Sequence, residues 1–171
     1  MDPLSGIVST IASLSAERWA RSTEVRFLRD ALRERLHREV RLNLELYEIL
    51  SDEGQLPRFD ELMYADAFRE VSLLNLPLSR ILGSDPLPTE VRDLLLQKAA
   101  VTPHGNFVNW SQNIHSEIDL IERVWHRMRV LRIRARIDGS LGNLEYLHHL
   151  LRALDGSLRL QRFKDSKKGK S

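Results

Sequence analysis

Two Glu-x-x-His pairs, Glu34/His37 and Glu145/His148, have the spacing that carboxylate-bridged di-iron bundles use to hold a metal. A step of three residues places each carboxylate on the turn next to its imidazole, so that both could reach one ion. Direction argues against such a site, since Glu34 and His37 lie well away from the apolar stripe of their helix and Glu145 points away from the leucine face of the last one. Glu117 is the one further glutamate placed to complete such a site. We therefore expect solvated, charged helix faces at these positions, with no metal and no cofactor.

Two other histidines have an acidic residue four positions away, as general acid–base chemistry would require. His115 is spaced in this way from Asp119, and His126 from Glu122. Such a partner can orient an imidazole, but ordinary intrahelical pairs worth about 0.2–0.5 kcal/mol have the same spacing. No serine stands in a nucleophile-elbow pattern, and the sequence has no cysteine. We therefore predict no catalytic residue, no small-molecule substrate and no enzymatic activity.

A run of arginines has the chemistry to bind the phosphates of a nucleic acid, and such binding would weaken steeply with salt. Six arginines fall within fourteen residues, and four of the five lysines lie in the last eight positions. At 100° per residue, half of the arginines share one side of a helix and half lie nearly opposite. The two halves are Arg123, Arg127 and Arg134, then Arg129, Arg132 and Arg136; Lys167 and Lys168 join them in this alternative.

The composition is that of one globular domain from a reducing compartment. The chain has 171 residues, of which 42% are hydrophobic and 29% charged, a formal net charge of +2 and no cysteine. This length can bury a core without staples, and the lack of cysteine excludes disulfide scaffolds and thiolate zinc sites. The first residues include Asp2 and no basic stretch, unlike a signal peptide. We expect a bacterial-type cytoplasmic protein.

The elements that must position these residues are helices. The stretch Glu17–Leu50 has no proline or glycine, and its apolar residues recur at steps of three, four and seven. Phe107–Asp138 has a similar pattern, and no run alternates β-branched residues as a strand would. The sequence therefore predicts an all-α fold, an elongated bundle of about five or six helices framed by these two long antiparallel helices. Shorter helices are predicted at residues 60–74, 78–82, 90–100 and 141–154.

Changes in composition divide the chain into three parts. These are an N-terminal amphipathic segment (1–16), a single helical-bundle domain (17–156) and a basic tail (157–171) that we expect to be disordered. In residues 4–14, bulky apolar side chains oppose serine, glycine and threonine. This segment is too short to span a bilayer. It could dock on its own core, on another subunit or on a membrane surface.

The length of the two amphipathic helices favours a non-enzymatic interaction or assembly module, homo-oligomeric or a subunit of a bacterial protein complex. Asn43 lies on the inward stripe of its helix, where it could fix the register between subunits or pair with a nearby backbone carbonyl. The alternatives are nucleic-acid association through the arginines and peripheral membrane binding through residues 4–14. The predicted contact residues are Leu4, Ile7, Val8, Ile11, Leu14, Asn43, Val130, Ile133 and Ile137.

Overall fold

The computed structural model of the protein describes residues 23–73, 78–82, 85–101 and 106–168. Within these ranges the predicted all-α fold is confirmed, since they contain no strand and only a single bridge between Pro86 and Ser116. A 3-10 turn at Leu56–Arg58 follows the first helix. The helices are α1 (Thr23–Asp52), α2 (Phe59–Leu62), α3 (Asp66–Leu73), α4 (Leu78–Leu82), α5 (Thr89–Val101), α6 (Asn106–Ser111), α7 (Glu117–Asp138) and α8 (Leu144–Lys168).

Helix α8 is the centre of the bundle. Between Leu144 and Leu158 it buries residues on almost every side, including Tyr146, Leu150 and Ser157. A surface helix would bury only one stripe, so this pattern requires neighbours all round. Those neighbours are α1, α5 and α7, each of which packs against α8.

The three surrounding helices run antiparallel to α8 and therefore parallel to one another. As each of them advances along the chain, its contact on α8 moves back toward the start of α8. The C-terminal ends of α1, α5 and α7 consequently lie at the end of the bundle where α8 begins. The contacts that show this are His37 with Asp155 and Tyr47 with His148 for α1, Val91 with Gly156 and Leu95 with His149 for α5, and Glu117 with Ser157 and Arg127 with Tyr146 for α7.

Helix α1 ends where the sequence predicts a break. Gly54 has a left-handed φ of 67°, which a glycine adopts without strain. The N–H of Gln55 then reaches back to the carbonyl of Leu50 at 2.7 Å, and the N–H of Gly54 reaches that of Ser51 at 3.2 Å. These two bonds form a Schellman motif, which satisfies carbonyls that the helix end would otherwise leave open.

The predicted frame of two long antiparallel helices is not confirmed. The stretch predicted as one helix, Phe107–Asp138, is divided, because α6 ends at Ser111 and α7 begins at Glu117. Ser116 and Asp119 form a capping box that starts the new helix: Ser116 Oγ accepts the Asp119 N–H at 3.2 Å, and the Asp119 carboxylate accepts the Ser116 N–H at 2.9 Å. Helices α1 and α7 are moreover parallel, since both are antiparallel to α8.

The helix predicted over residues 60–74 is also interrupted, because Asn43 of α1 binds the backbone between α2 and α3. Asn43 donates from Nδ2 to the carbonyl of Tyr64 at 2.8 Å and accepts the Tyr64 N–H at 2.9 Å. Met63, just before, has an extended ψ of 138°. The amide of Asn43 thus replaces hydrogen bonds that a continuous helix would have made.

One turn before Asn43, the buried carboxylate of Glu39 caps the start of α3. It accepts the backbone N–H of Ala67 at 2.8 Å and that of Phe68 at 3.3 Å. An anion is favourable at this end of a helix because the N–H groups there lack intrahelical partners. Burial raises the pKa of Glu39, and the bonds from Ala67 and Phe68 oppose that shift.

The predicted end of the last helix at residues 155–156 is wrong. Helix α8 continues through Gly156 to Lys168, and Ser157 and Leu158 are buried. Residues 157–168 therefore belong to a helix rather than to the disordered tail that composition suggested. Gly156 does not stop the helix, because its neighbours on both sides pack in the core and its own Cα faces Val91 of α5.

Candidate functional site

The predicted contact residues fall into three groups. Five of them, Leu4, Ile7, Val8, Ile11 and Leu14, lie outside the described residues. Asn43 is 0% exposed, and its side-chain amide is hydrogen-bonded to the backbone of Tyr64 in the same chain. Pairing with a nearby backbone group was one of the two interpretations that the sequence left open for this residue. Asn43 is therefore enclosed within the chain, so that a contact with a second subunit through its side chain would require the core to open. The remaining three residues lie on α7.

The outer side of α7 carries two adjacent exposed isoleucines. Ile133 is 52% exposed and Ile137 is 78% exposed. They are four residues apart, so their side chains are neighbours on one face of a rigid helix. Val130 is half-buried at the rim of this face. Single exposed apolar residues are ordinary, but an adjacent pair on a helix is a candidate contact surface.

Positive charge flanks this pair. Arg129 and Arg136 are exposed, and neither forms an ion pair with any residue in the described ranges. At 100° per residue, both lie beside the isoleucines rather than on the core side of the helix. We call the surface formed by Arg129, Ile133, Arg136 and Ile137 the basic edge of α7.

The last two turns of α1 form a surface of opposite charge. Glu45, Glu48 and Asp52 are exposed around Ile49, which is 49% exposed, and the last turn of α1 contains no basic residue. Negative charge near a helix C-terminus opposes the helix dipole by about 0.3–1 kcal/mol per residue. No described side chain forms an ion pair with these three carboxylates. We call Glu45, Glu48, Ile49 and Asp52 the acidic end of α1.

Sequence reasoning placed Glu45 and Glu48 on the polar face of α1 but did not single them out. The signal that could have found them is the unfavourable placement of acids without bases at a predicted helix C-terminus. Because local rules of this kind are broken mainly where function requires it, such a departure marks a candidate surface.

The arginines proposed for nucleic-acid binding occupy different environments. Arg132 donates from Nη2 to the Met63 carbonyl at 3.2 Å, which joins α7 to the end of α2. Arg127 lies over the ring of Trp110, with its Cζ 5.7 Å from the ring centroid. Arg123 is half-buried and Arg134 is exposed. Lys167 and Lys168 lie in the last turn of α8. The arginines thus do not form one continuous surface, and nucleic-acid association stays a prediction.

The Glu-x-x-His residues make contacts that have no metal-site geometry. His37 Nε2 lies 3.0 Å from a carboxylate oxygen of Asp155, which also binds Arg159. The ring of His148 stacks on Tyr47, with centroids 3.9 Å apart and planes 4° apart. Across the described parts of the chain, no three His, Cys, Asp or Glu side chains come together in a way that could hold a metal ion.

Two further acidic residues considered for chemistry stabilise the fold instead. Glu117 is buried, accepts the Ser157 hydroxyl at 2.8 Å and pairs with Arg33 Nε at 3.2 Å. Asp119 accepts the backbone N–H of His115 at 3.0 Å, so its carboxylate is hydrogen-bonded to the backbone at the start of α7. The His115 side chain adds only a smaller electrostatic effect. Burial alone would raise the pKa of Asp119, but its hydrogen bonds outweigh burial and lower it.

A groove of about 670 Å³ opens between α1, α5 and α8. Its charged lining includes Glu48, Glu90 and Asp155 together with Arg152 and Arg159. These charges are of both signs and balance closely, and no described group in the lining has the nucleophile–base arrangement of a hydrolytic site. The groove therefore gives no reason to propose catalysis.

Comparisons with known proteins give no indication of function, so the functional argument rests on the surfaces described above. No family model, no curated protein and no solved structure matches the chain. Among the helices in the described ranges, none combines the length and the apolar character that a membrane crossing demands.

Proposed function

We propose that this protein is a non-enzymatic assembly module that associates with a second copy of itself through the basic edge of α7. The observation that carries the proposal is the adjacent exposed pair Ile133 and Ile137 on a rigid helix. Burying two isoleucine side chains from water contributes about 1.5–3 kcal/mol for each when burial is complete. An interface core of this kind, rimmed by charged residues, is typical of protein association.

Charge complementarity favours the acidic end of α1 as the opposing surface. Two basic edges facing each other would bring Arg129 and Arg136 against their own copies, which is unfavourable. The acidic end of α1 offers carboxylates around its own exposed isoleucine, Ile49. A contact between the two surfaces would pair isoleucine with isoleucine and arginine with carboxylate, and would relieve the repulsion between those carboxylates and the α1 dipole.

The positions of the two surfaces are compatible with a closed dimer. Tyr47 of α1 stacks on His148, and Arg134 of α7 lies against Gly142, so both surfaces are at the end of the bundle where α8 begins. In a two-fold dimer joined at this end, each basic edge can meet the acidic end of the other copy. The same contact is then made twice, and closed two-fold dimers are the commonest soluble assemblies.

The first test is the native mass of the purified chain by light scattering over a range of concentrations. We expect a discrete multiple of 19.8 kDa that dissociates as salt is raised, because exposed ion pairs are screened. The double variant Ile133→Ser/Ile137→Ser should be monomeric. Phe27→Ser/Leu73→Ser removes two residues that are just as exposed but lie on α1 and α3, and should leave the mass unchanged.

Charge reversal identifies the opposing surface. Arg129→Glu/Arg136→Glu and Glu45→Lys/Asp52→Lys should each abolish self-association, because each brings like charges together. An equimolar mixture of the two variants should restore it, since the reversed edge of one then matches the reversed end of the other. A wild-type chain that is monomeric at all concentrations would refute the proposal, as would a mixture that does not associate.

A further inference from the structure

Another side of α7, at the border of its core face, contains buried polar atoms that lack hydrogen-bond partners. Arg127 crosses the rings of Trp110 and Tyr146, at 5.7 Å and 5.8 Å from their centroids. Its Nε and Nη2 atoms are buried and have no hydrogen-bond partner among the described residues. The Ser111 and Tyr146 hydroxyls lie beside each other: burial raises the pKa of Tyr146, and a hydrogen bond with the Ser111 side chain opposes that shift. Phe107 packs on both rings and closes the inner side.

The two unbonded nitrogens of Arg127 are the pair that forms the side-on fork of a guanidinium. This fork matches two oxygens of a carboxylate or phosphate group. The two aromatic rings offset part of the desolvation of the cation, but they accept none of its N–H groups. A buried donor without an acceptor is costly, so this arrangement is expected only where an acceptor arrives from elsewhere.

The surrounding charge indicates what kind of acceptor fits. Arg123 and Arg134 lie on the same side of α7 as Arg127, and Arg134 Nη1 is 3.0 Å from the position that a Cβ on Gly142 would take. Burial lowers the pKa of Arg127, and the charge of Arg134 lowers it further. Among the described residues no carboxylate lies within ion-pair distance of these three arginines. The exposed carboxylate of Asp138, one turn from Arg134, interacts with it at longer range, and its pKa is lowered by hydrogen bonds with Ser140 and in smaller part by Arg134. Their combined charge suits a dianion better than a single carboxylate.

We infer that the side of α7 bearing Arg123, Arg127 and Arg134 is a binding site for a phosphate group of a small molecule. Arg127 would hold two phosphate oxygens through its fork, and the adjacent Ser111 and Tyr146 hydroxyls would supply one further donor between them. The outer part of the cluster reaches the surface, since Trp110 is half-buried and Arg134 is exposed. Arg134 and Ile137 are neighbours at a spacing of three residues, but Arg127 lies about 120° around α7 from Ile133. The site uses none of the four residues of the basic edge, so neither proposal depends on the other.

The test uses the full chain, with inorganic phosphate and pyrophosphate as probes and chloride at equal ionic strength as the reference. Both probes should raise the melting temperature in a saturable manner, because a ligand that binds only the folded state stabilises it. Arg127→Met keeps the aromatic contacts but removes the fork, and should weaken binding on the order of tenfold or more. Arg92→Met, on the exposed side of α5, should bind the probes as the wild type does.

The same variants separate a binding role for Arg127 from a structural one. Without ligand, Arg127→Met should be at least as stable as the wild type, since it removes an unpaired buried charge. Tyr146→Phe, which removes one hydroxyl and keeps the ring, should weaken phosphate binding several-fold. A phosphate effect that is equal in the wild type and Arg127→Met would overturn the inference. So would binding of a short single-stranded oligonucleotide with no response to either phosphate probe, since that result favours a nucleic-acid backbone.

Discussion

The buried ion pair between Arg33 and Glu117 gives the sharpest prediction about stability. Arg33 Nε lies 3.2 Å from Glu117 Oε1, and the two side chains are 14% and 4% exposed. Arg33 also donates to the Leu82 carbonyl at 3.0 Å, and Glu117 also accepts the Ser157 hydroxyl at 2.8 Å. These four residues belong to α1, α7, α4 and α8, so one network joins four helices.

Replacing Arg33 and replacing Glu117 should lower the free energy of unfolding by different amounts. Removing one member of a buried pair leaves an uncompensated charge, which costs about 3–5 kcal/mol. Arg33→Met should reach the upper part of that range, because Glu117 is enclosed and keeps only the hydroxyl of Ser157. Glu117→Leu should cost less, about 2–3 kcal/mol, because Arg33 keeps the Leu82 carbonyl and is near enough to the surface to regain water.

The double variant Arg33→Met/Glu117→Leu should lose much less than the sum of the single losses. Both charges are then absent, and apolar residues of similar size fill their places, which is often nearly neutral. What remains is an unpaired Ser157 hydroxyl and an unpaired Leu82 carbonyl, together about 2 kcal/mol. The single losses of about 4–5 and 2–3 kcal/mol add up to about 6–8 kcal/mol, so the coupling energy is about 4–6 kcal/mol.

Urea unfolding followed by far-ultraviolet circular dichroism measures each free energy of unfolding. Ser157→Ala is the matched control, because it removes one hydrogen bond of the network without leaving a charge, and should cost only about 1 kcal/mol. A domain of this size has about 5–15 kcal/mol in total, so all variants should stay folded in the absence of urea if the wild type is in the upper half of that range. If the losses of the two single variants simply add in the double variant, with a coupling energy below about 1 kcal/mol, then Arg33 and Glu117 interact like a solvated surface pair and not like a buried one.

Three further predictions follow from single contacts. Asn43→Ala should lower the free energy of unfolding by about 2–4 kcal/mol, because it removes two hydrogen bonds to Tyr64 and leaves a cavity. A loss below about 1 kcal/mol in urea unfolding would contradict this prediction. Burial raises the pKa of Glu39 above its unfolded value of about 4.5, so the folded protein holds this proton more tightly and loses stability as the pH rises through the folded pKa. Glu39→Gln has no such proton and should therefore become more stable relative to the wild type as the pH rises. A stability difference between the two proteins that does not change with pH would contradict this prediction. Gly156→Ala should stabilise α8 by about 0.5–1 kcal/mol, because the added Cβ would meet Val91 at an ordinary contact distance of 3.7 Å. Gly139→Ala should destabilise the protein by about 1 kcal/mol, because Gly139 has a left-handed φ of 69°. Thermal unfolding of both variants tests whether the two effects have opposite signs.

The helices themselves could be predicted from the sequence because their signals are local. The stripe through Val25, Leu28, Leu32 and Leu36 repeats at helical spacing, and all four residues are buried. The capping box from Ser116 to Asp119 is equally local, and it was available in the sequence as a sign that the 107–138 helix divides. Local signals fix the type of an element, and they need no knowledge of its neighbours.

The division of residues 60–74 and the central position of α8 could not be predicted in this way. The break at Tyr64 depends on Asn43 and the start of α3 depends on Glu39, both of which are distant in sequence. Asp155–Gly156 is a helix-stop signal by composition, and only its burial between α1 and α5 keeps the chain helical there. Tertiary contacts overrode local preference in each of these cases.

The candidate surfaces show the same difference. Val130, Ile133 and Ile137 could be singled out because they fall on a different side of α7 from its core stripe. The unbonded fork of Arg127 could not, because its significance depends on Trp110, Tyr146 and Ser111, which come from two other helices. Charge patterns on one helix are visible in a sequence, whereas the absence of a partner is a property of the folded neighbourhood.

The central helix also has a consequence for the order in which the protein can be made. The ribosome adds about 5–20 residues per second, so α1 exists for about 5–20 seconds and α7 for about 1–4 seconds before the buried part of α8 is complete. Each of α1, α5 and α7 can form within microseconds, but the surface on which all three are packed has not yet been synthesised. The nascent chain must therefore hold three apolar faces in water without a common partner. Folding should begin only when Leu144–Leu158 has left the ribosome, and until then the chain is a natural client for a chaperone that shields apolar helices.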